Sequence, residues 1–159
     1  MSDKRGGEIA LVAHCILNQN SRAPGLATRA GAVNEVVRWL MQKGIGIIQL
    51  PCPELVYAGS SRPPQTKKQY DNPRYRNLCR KFAEDIVSQI QEYEKCGVRL
   101  KLVVGVGRSP SCAVNEPSGI LMEELRKTLH HREISAPFYE IDTEGLKEDL
   151  TELEELLRQ

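Results

Sequence analysis

The sequence predicts an α/β fold: a single compact Rossmann-like domain of three layers with a mainly parallel sheet, spanning residues 1–159. Three observations carry this expectation. Short apolar runs at 8–13, 45–50 and 99–106 are nearly continuous in hydrophobicity, the pattern of strands covered on both faces. Stretches with helical apolar spacing separate them. Right-handed crossovers through those helices set the three strands parallel.

The elements follow in order. EIALVA at 8–13 is the first strand and runs into His14 and Cys15. Val33, Val36, Val37, Leu40 and Met41 form an i, i+3, i+4, i+7, i+8 stripe, and Gly44 closes that helix. IGIIQL at 45–50 is the second strand and ends at Pro51 and Cys52. From Pro51 to Asn72 neither a helix nor a strand period is evident, and so long a connection in a small domain is usually functional or mobile. A long helix from about Pro73 to Lys95 carries Leu78, Phe82, Ile86, Ile90 and Tyr93, with Gly97 as its stop. RLKLVVGV at 99–106 is the third strand. A helix from about Pro117 to His130 rests on Leu121, Leu125 and Leu129, and PFYEID at 137–142 is a weaker fourth strand. Thr143 is placed to cap a last helix with the stripe Leu146, Leu150, Leu153 and Leu157.

Composition narrows the class of protein. At 159 residues, 40% apolar and 27% charged, the chain can bury a core without staples. No run approaches the roughly 20 apolar residues of a membrane span, and the amino terminus lacks the apolar region of a secretory signal. A cytoplasmic setting is therefore expected, in which thiols stay reduced. The five cysteines then point to metal, catalysis or packing before disulfides. The net charge of +1 conceals a polarity: residues 62–81 hold seven Lys and Arg against Asp71 alone. That basic segment suits an anion, a nucleotide or RNA. The acidic carboxyl-terminal stretch is a solvated surface. Oligomeric state is not encoded in any of these features.

The cysteines are the informative residues. Cys15 follows strand one, Cys52 follows strand two, and Cys112 comes six residues after strand three, in RSPSC. Parallel strands deliver their carboxyl ends to one edge, where open α/β sheets bind ligands. Three thiols on one edge suit a soft metal centre. With His14 adjacent, a Cys3His zinc site is one solution, although the close CxxC pairs of structural zinc are absent. An iron–sulfur cluster with three cysteine ligands and one open iron is another. Small buried residues in tight turns are the third. Cys79 and Cys96 belong to the long helix and its end, as packing residues.

HCILNQNSRAPG (14–25), PCPE (51–54) and RSPSC (108–112) together resemble the 2-thiouracil desulfurase family and its related desulfidases. The resemblance covers most of the chain in order. It implies a [4Fe–4S] cluster on Cys15, Cys52 and Cys112, with a fourth iron open to the sulfur of a thiocarbonyl base, which is hydrolysed to the carbonyl and releases sulfide. It further implies Glu54 as the catalytic acid–base and Ser109 as a hydrogen-bond donor to the base or its oxyanion. Ser111, Arg62, Asn18 and His14 become substrate contacts, with Asn20 and Arg22 nearby. The chain departs from the family at His14, where a serine is usual, at Ala113, where a glycine often stands, and through residues 58–63. These positions line the expected pocket and leave the three cysteines intact. The expected substrate is a small thiolated heterocycle or nucleotide. The rival expectations are a non-catalytic zinc or iron–sulfur module holding RNA through residues 62–81, and a metal-free enzyme with Cys112 as nucleophile.

Overall fold

The computed structural model describes residues 3–158. Its centre is a four-stranded sheet in the order β2-β1-β3-β4, parallel throughout. The strands are β1 (Glu8–Val12), β2 (Gly46–Gln49), β3 (Arg99–Val106) and β4 (Phe138–Ile141). The helices, in chain order, are α1 (His14–Leu17), α2 (Asn34–Gln42), α3 (Pro53–Ala58), α4 (Lys67–Tyr70), α5 (Pro73–Glu94), α6 (Ile120–His131) and α7 (Leu146–Arg158).

The strand order decides the layers. The connection from β1 through α2 to β2 runs one way along the sheet, and the connection from β2 through α5 to β3 runs back past β1. With right-handed crossovers those two helices must lie on opposite faces. α6 continues in the second direction and packs on α5, while α7 returns to α2. The α2–α7 contact is tied by the Trp39 indole, which donates to Glu154 Oε1 at 2.9 Å. Because both faces are covered, β1 and β3 are apolar along nearly their whole length. Ala10, Leu11, Val12, Leu102, Val103 and Val104 are fully buried in one core that also takes Leu40, Ile90 and Leu125. Each such aliphatic side chain contributes about 1.5–3 kcal/mol by leaving water.

The reversal of direction occurs between β1 and β3. Strands leaving a parallel sheet there diverge to opposite faces and leave a crevice beyond their carboxyl ends. The chain therefore gathers its loops at one place, the point where Cys15 and Cys112 emerge.

Several boundaries differ from the sequence reading. β1 ends at Val12, and His14 already opens α1, a single turn too short to show a period. The stretch 51–72 holds two short helices where the sequence shows no period. α3 starts from Cys52 with Pro53 in its first turn, and α4 starts from a reciprocal Thr66–Gln69 capping box. Helices of six and four residues show caps rather than stripes, so local hydrogen bonds place them and apolar spacing does not. Met41, placed on the α2 stripe, is 69% exposed, because Trp39 turns inward in its stead. α6 begins at Ile120, and α7 begins at Leu146, beyond Thr143.

Two glycines set the backbone around Cys112. A Cβ at Gly105 would lie 2.1 Å from the Cys112 carbonyl oxygen, and one at Gly119 would lie 2.1 Å from the Ser111 carbonyl carbon. In each case the obstacle is main chain, which cannot swing aside. Gly119→Ala is accordingly expected to destabilise the fold by about 3 kcal/mol, the upper end of overpacking costs. Urea denaturation would show this as a lower midpoint at unchanged slope.

Candidate functional site

The crevice at the β1/β3 reversal is a cavity of about 130 Å³, well beyond the roughly 10–15 Å³ that one water needs. Cys15, Cys52 and Cys112 all line it, together with His14, Glu54, Arg62, Ser109 and Ser111. Of the residues placed at the site from sequence, Asn18 and its neighbour Asn20 stay outside. Asn18 is exposed and caps the following 3-10 turn by accepting from the Asn20 amide.

Each thiol is delivered by a different piece of backbone. Cys15 sits in the first turn of α1, which the sheet anchors through Ala13 N–H donating to the Val104 carbonyl at 2.9 Å. Buried Gln19 donates to the Cys15 carbonyl at 2.8 Å and accepts from Thr28 N–H at 3.0 Å, so one amide clamps the loop after β1. Cys52 is the cap of α3, its Sγ accepting from Leu55 N–H at 3.4 Å. Cys112 lies in the turn after β3, its carbonyl accepting from Val106 N–H at 3.0 Å. His14 ties the first two pieces together: Nδ1 donates to the Leu50 carbonyl at 2.9 Å, and Gln49 Nε2 donates to the His14 carbonyl at 2.9 Å.

Electrostatics favour protonated thiols in the metal-free protein. Burial pushes Cys15 up to about 11, outweighing the pull of the Arg22 guanidinium. Burial likewise outweighs the Leu55 amide at Cys52. Cys112 is held well above the ordinary range by burial, then by the Cys15 and Cys52 sulfurs beside it. Sulfurs whose charges are felt at Cys15 and at Cys112 share a neighbourhood.

Glu54 is the cavity's carboxylate, and its two oxygens have different partners. Oε2 accepts from the Ser111 hydroxyl at 2.8 Å, and Ser111 Oγ is in turn hydrogen-bonded to the Tyr75 hydroxyl. Oε1 stands 3.6 Å from Arg62 Nε. The Arg62 side chain is 3% exposed and spends its terminal nitrogens on the Gly59 carbonyl at 3.0 Å and the Ser21 carbonyl at 2.8 Å. Its Nε is left without a hydrogen-bond partner, as is the buried Tyr70 hydroxyl. Arg62 is thus the counter-charge of Glu54 and a brace between two loops.

The two serines do different local work. Ser109 Oγ caps the turn, accepting from Cys112 N–H at 3.0 Å and Ser111 N–H at 3.3 Å, while its own proton stays free to donate into the cavity. Ser111 is the one that holds Glu54. Tyr75 and Gln19 support the site without any mark in the sequence. Tyr75 continues the apolar stripe of α5, and nothing local distinguishes a buried tyrosine with a partner from one without.

The basic segment is largely neutralised. Arg62 faces Glu54, Lys67 pairs with Glu123, Arg76 spans Asp71 and Glu123, and Arg80 meets Glu124. These pairs hold the segment down on α6 and leave Lys68, Arg74 and Lys81 as its remaining cations. No helix among the described residues is long and apolar enough to cross a membrane.

Comparison with known proteins finds a relative of the same size class. A Methanocaldococcus jannaschii protein described as "Uncharacterized protein MJ0003" is 47% identical over 123 residues, which is 77% of this chain and 78% of that one. The chain belongs to the MJ0003 family. No family model and no solved structure matches it. In this MJ0003-family chain the cavity brings together residues from the ends of three strands.

Three soft sulfurs surround one cavity, and the other two cysteines lie elsewhere, Cys79 in the core and Cys96 on the surface. Among the described residues no three His, Cys, Asp or Glu side chains stand close enough together for one ion. Tetrahedral ligands about 2.3 Å from a zinc would have to be nearly in contact. A four-iron cluster would carry three thiolates on separate corners and therefore wider apart.

Proposed function

We propose that this protein is a cytoplasmic iron–sulfur desulfidase that hydrolyses the C=S group of a thiolated nucleobase or related thiocarbonyl compound to C=O. The observation that supports it is the gathering of Cys15, Cys52 and Cys112 around one cavity with the Glu54 carboxylate on its wall. A [4Fe–4S] cluster on the three thiolates would supply an iron without a protein ligand, a soft Lewis acid for the substrate sulfur.

The chain's own residues carry the protons. Glu54 accepts a proton from the water that attacks the thiocarbonyl carbon, and returns it to the departing sulfur or to a ring nitrogen. Ser111 and Arg62 hold the two carboxylate oxygens, so the carboxylate does not rotate away. Ser109 donates its free hydroxyl proton to the heteroatom that gains charge as the carbon becomes tetrahedral. The reaction balances as one thiocarbonyl and one water giving one carbonyl and one hydrogen sulfide. The water oxygen replaces the sulfur on carbon, both water protons leave with the sulfur, and no electron is gained or lost.

Anaerobic reconstitution with iron and sulfide, followed by incubation with 2-thiouracil and other thiolated pyrimidines, tests the reading. The expected result is a brown protein that releases sulfide and the matching oxo-base in equal amounts. A colourless protein holding one zinc, or a brown one that leaves every thiocarbonyl intact, would count against it.

A further inference from the structure

Two arginines of the crevice stand without partners. Arg22 and Arg108 both line the thiol cavity, and neither forms an ion pair or donates a side-chain hydrogen bond among the described residues. Arg29, Arg76 and Arg132, by contrast, are engaged by side chains of the fold. Arg22 lies near enough to Cys15 for its charge to be felt by the thiol. Arg108 occupies the left-handed region at φ 63, a conformation that strains any residue with a Cβ, at the first step of the turn that carries Cys112.

The same two arginines line a second cavity of about 370 Å³, which shares Leu26 and Val106 with the first and continues to Asp142, Thr143 and Glu144 beyond β4. The two cavities therefore adjoin, with the half-buried Arg22 and the exposed Arg108, both without a side-chain partner, lining both. The far end is acidic.

We infer that the ligand of this cleft is a small molecule carrying one anionic group, a phosphate or a carboxylate, which Arg22 and Arg108 clamp while the rest of the ligand reaches the thiol cavity. Two guanidiniums offer fork-shaped donors to such an oxyanion, and the pairing is strongest where neither is already spent. The acidic far wall limits the negative charge to that one group. A polyanion running on past the arginines would meet Asp142 and Glu144, and the 62–81 segment offers it little, since Arg62, Lys67, Arg76 and Arg80 are already paired. RNA is thereby disfavoured relative to a mononucleotide or a carboxylated heterocycle.

The choice of pyrimidine probes rests on the desulfidase reading, but the test uses sulfur-free ligands and no turnover, so the two can fail separately. Uridine, uridine 5′-monophosphate, orotate and a ten-residue oligouridylate would be titrated into the protein by calorimetry, at low and at raised salt. Uridine 5′-monophosphate or orotate is expected to bind about tenfold to a hundredfold tighter than uridine. Whichever of them gains more identifies the anion as phosphate or carboxylate. Raised salt should weaken the gain, and Arg22→Gln and Arg108→Gln should each reduce it. In the double variant all ligands should bind equally, with the far-ultraviolet spectrum and melting temperature unchanged. Equal binding of uridine and both anions to the unaltered protein overturns the inference, as does oligouridylate binding tighter than the mononucleotide.

Discussion

Cys15→Ala, Cys52→Ala and Cys112→Ala should each abolish assembly of the iron–sulfur centre, whereas Cys96→Ala should leave it intact. The three thiols line one cavity from three strand ends, and no other cysteine among the described residues lines it. Removing one leaves two ligands for a cluster that ordinarily takes four, too few to hold it. Iron and acid-labile sulfide per chain, with the broad absorbance near roughly 400 nm, measure the loss. The fold itself should survive, since Cys15 and Cys52 are only partly buried and alanine fits either turn. Loading carries a proton signature as well. Burial raises all three thiols, Cys15 to about 11, so at neutral pH they are protonated and must lose their protons to bind iron. Assembly should release protons into weakly buffered solution and become more favourable as pH rises from neutral into the alkaline range. Full iron content in any of the three single variants would remove the basis of the proposed function.

Glu54→Gln should keep the cluster and lower the rate of sulfide release by about 10²–10⁴-fold, the range for a positioned acid–base group. Glutamine preserves the acceptor for Ser111 but cannot exchange a proton. The substitution also leaves the nearly buried Arg62 without its counter-charge, which adds about 3–5 kcal/mol of destabilisation of the kind seen when a buried pair loses one member. A melting curve must accompany the kinetics, and Glu54→Asp serves as a second variant that restores the charge at a shorter reach. Ser111→Ala should lower kcat less, with KM little changed, because it frees one carboxylate oxygen without removing the acid. Undiminished turnover in Glu54→Gln would assign the proton transfer elsewhere.

Much of the fold is legible along the chain because burial on both faces writes itself into composition. Leu11, Val12, Val103 and Val104 have no solvent-facing side, so their strands read as continuous apolar runs. α5 is equally plain, since 22 residues give a helical period room to repeat. α1, α3 and α4 are not, because one or two turns cannot display a stripe. The site is half legible. Three cysteines after three strands announce a shared edge once the strands are taken as parallel, and PCPE puts a carboxylate beside one of them. The partner of each polar group is not legible. Ser111 holds Glu54 and Ser109 caps the turn, a division of labour that depends on which hydroxyl the turn points at a residue 57 positions away.

The sequence by itself determined that this chain is a parallel α/β protein with thiols at its strand ends, because periodicity and strand direction are local or nearly local properties. Only the tertiary structure decided that β1 and β3 are the strands that part, that Tyr75 reaches Ser111 and Arg62 reaches Glu54, and that Arg22 and Arg108 stand unpaired on one wall. Those are facts about which distant side chains meet. A hydrogen bond or an ion pair acts over a few ångströms and carries no mark in sequence spacing, so it is settled when the layers close.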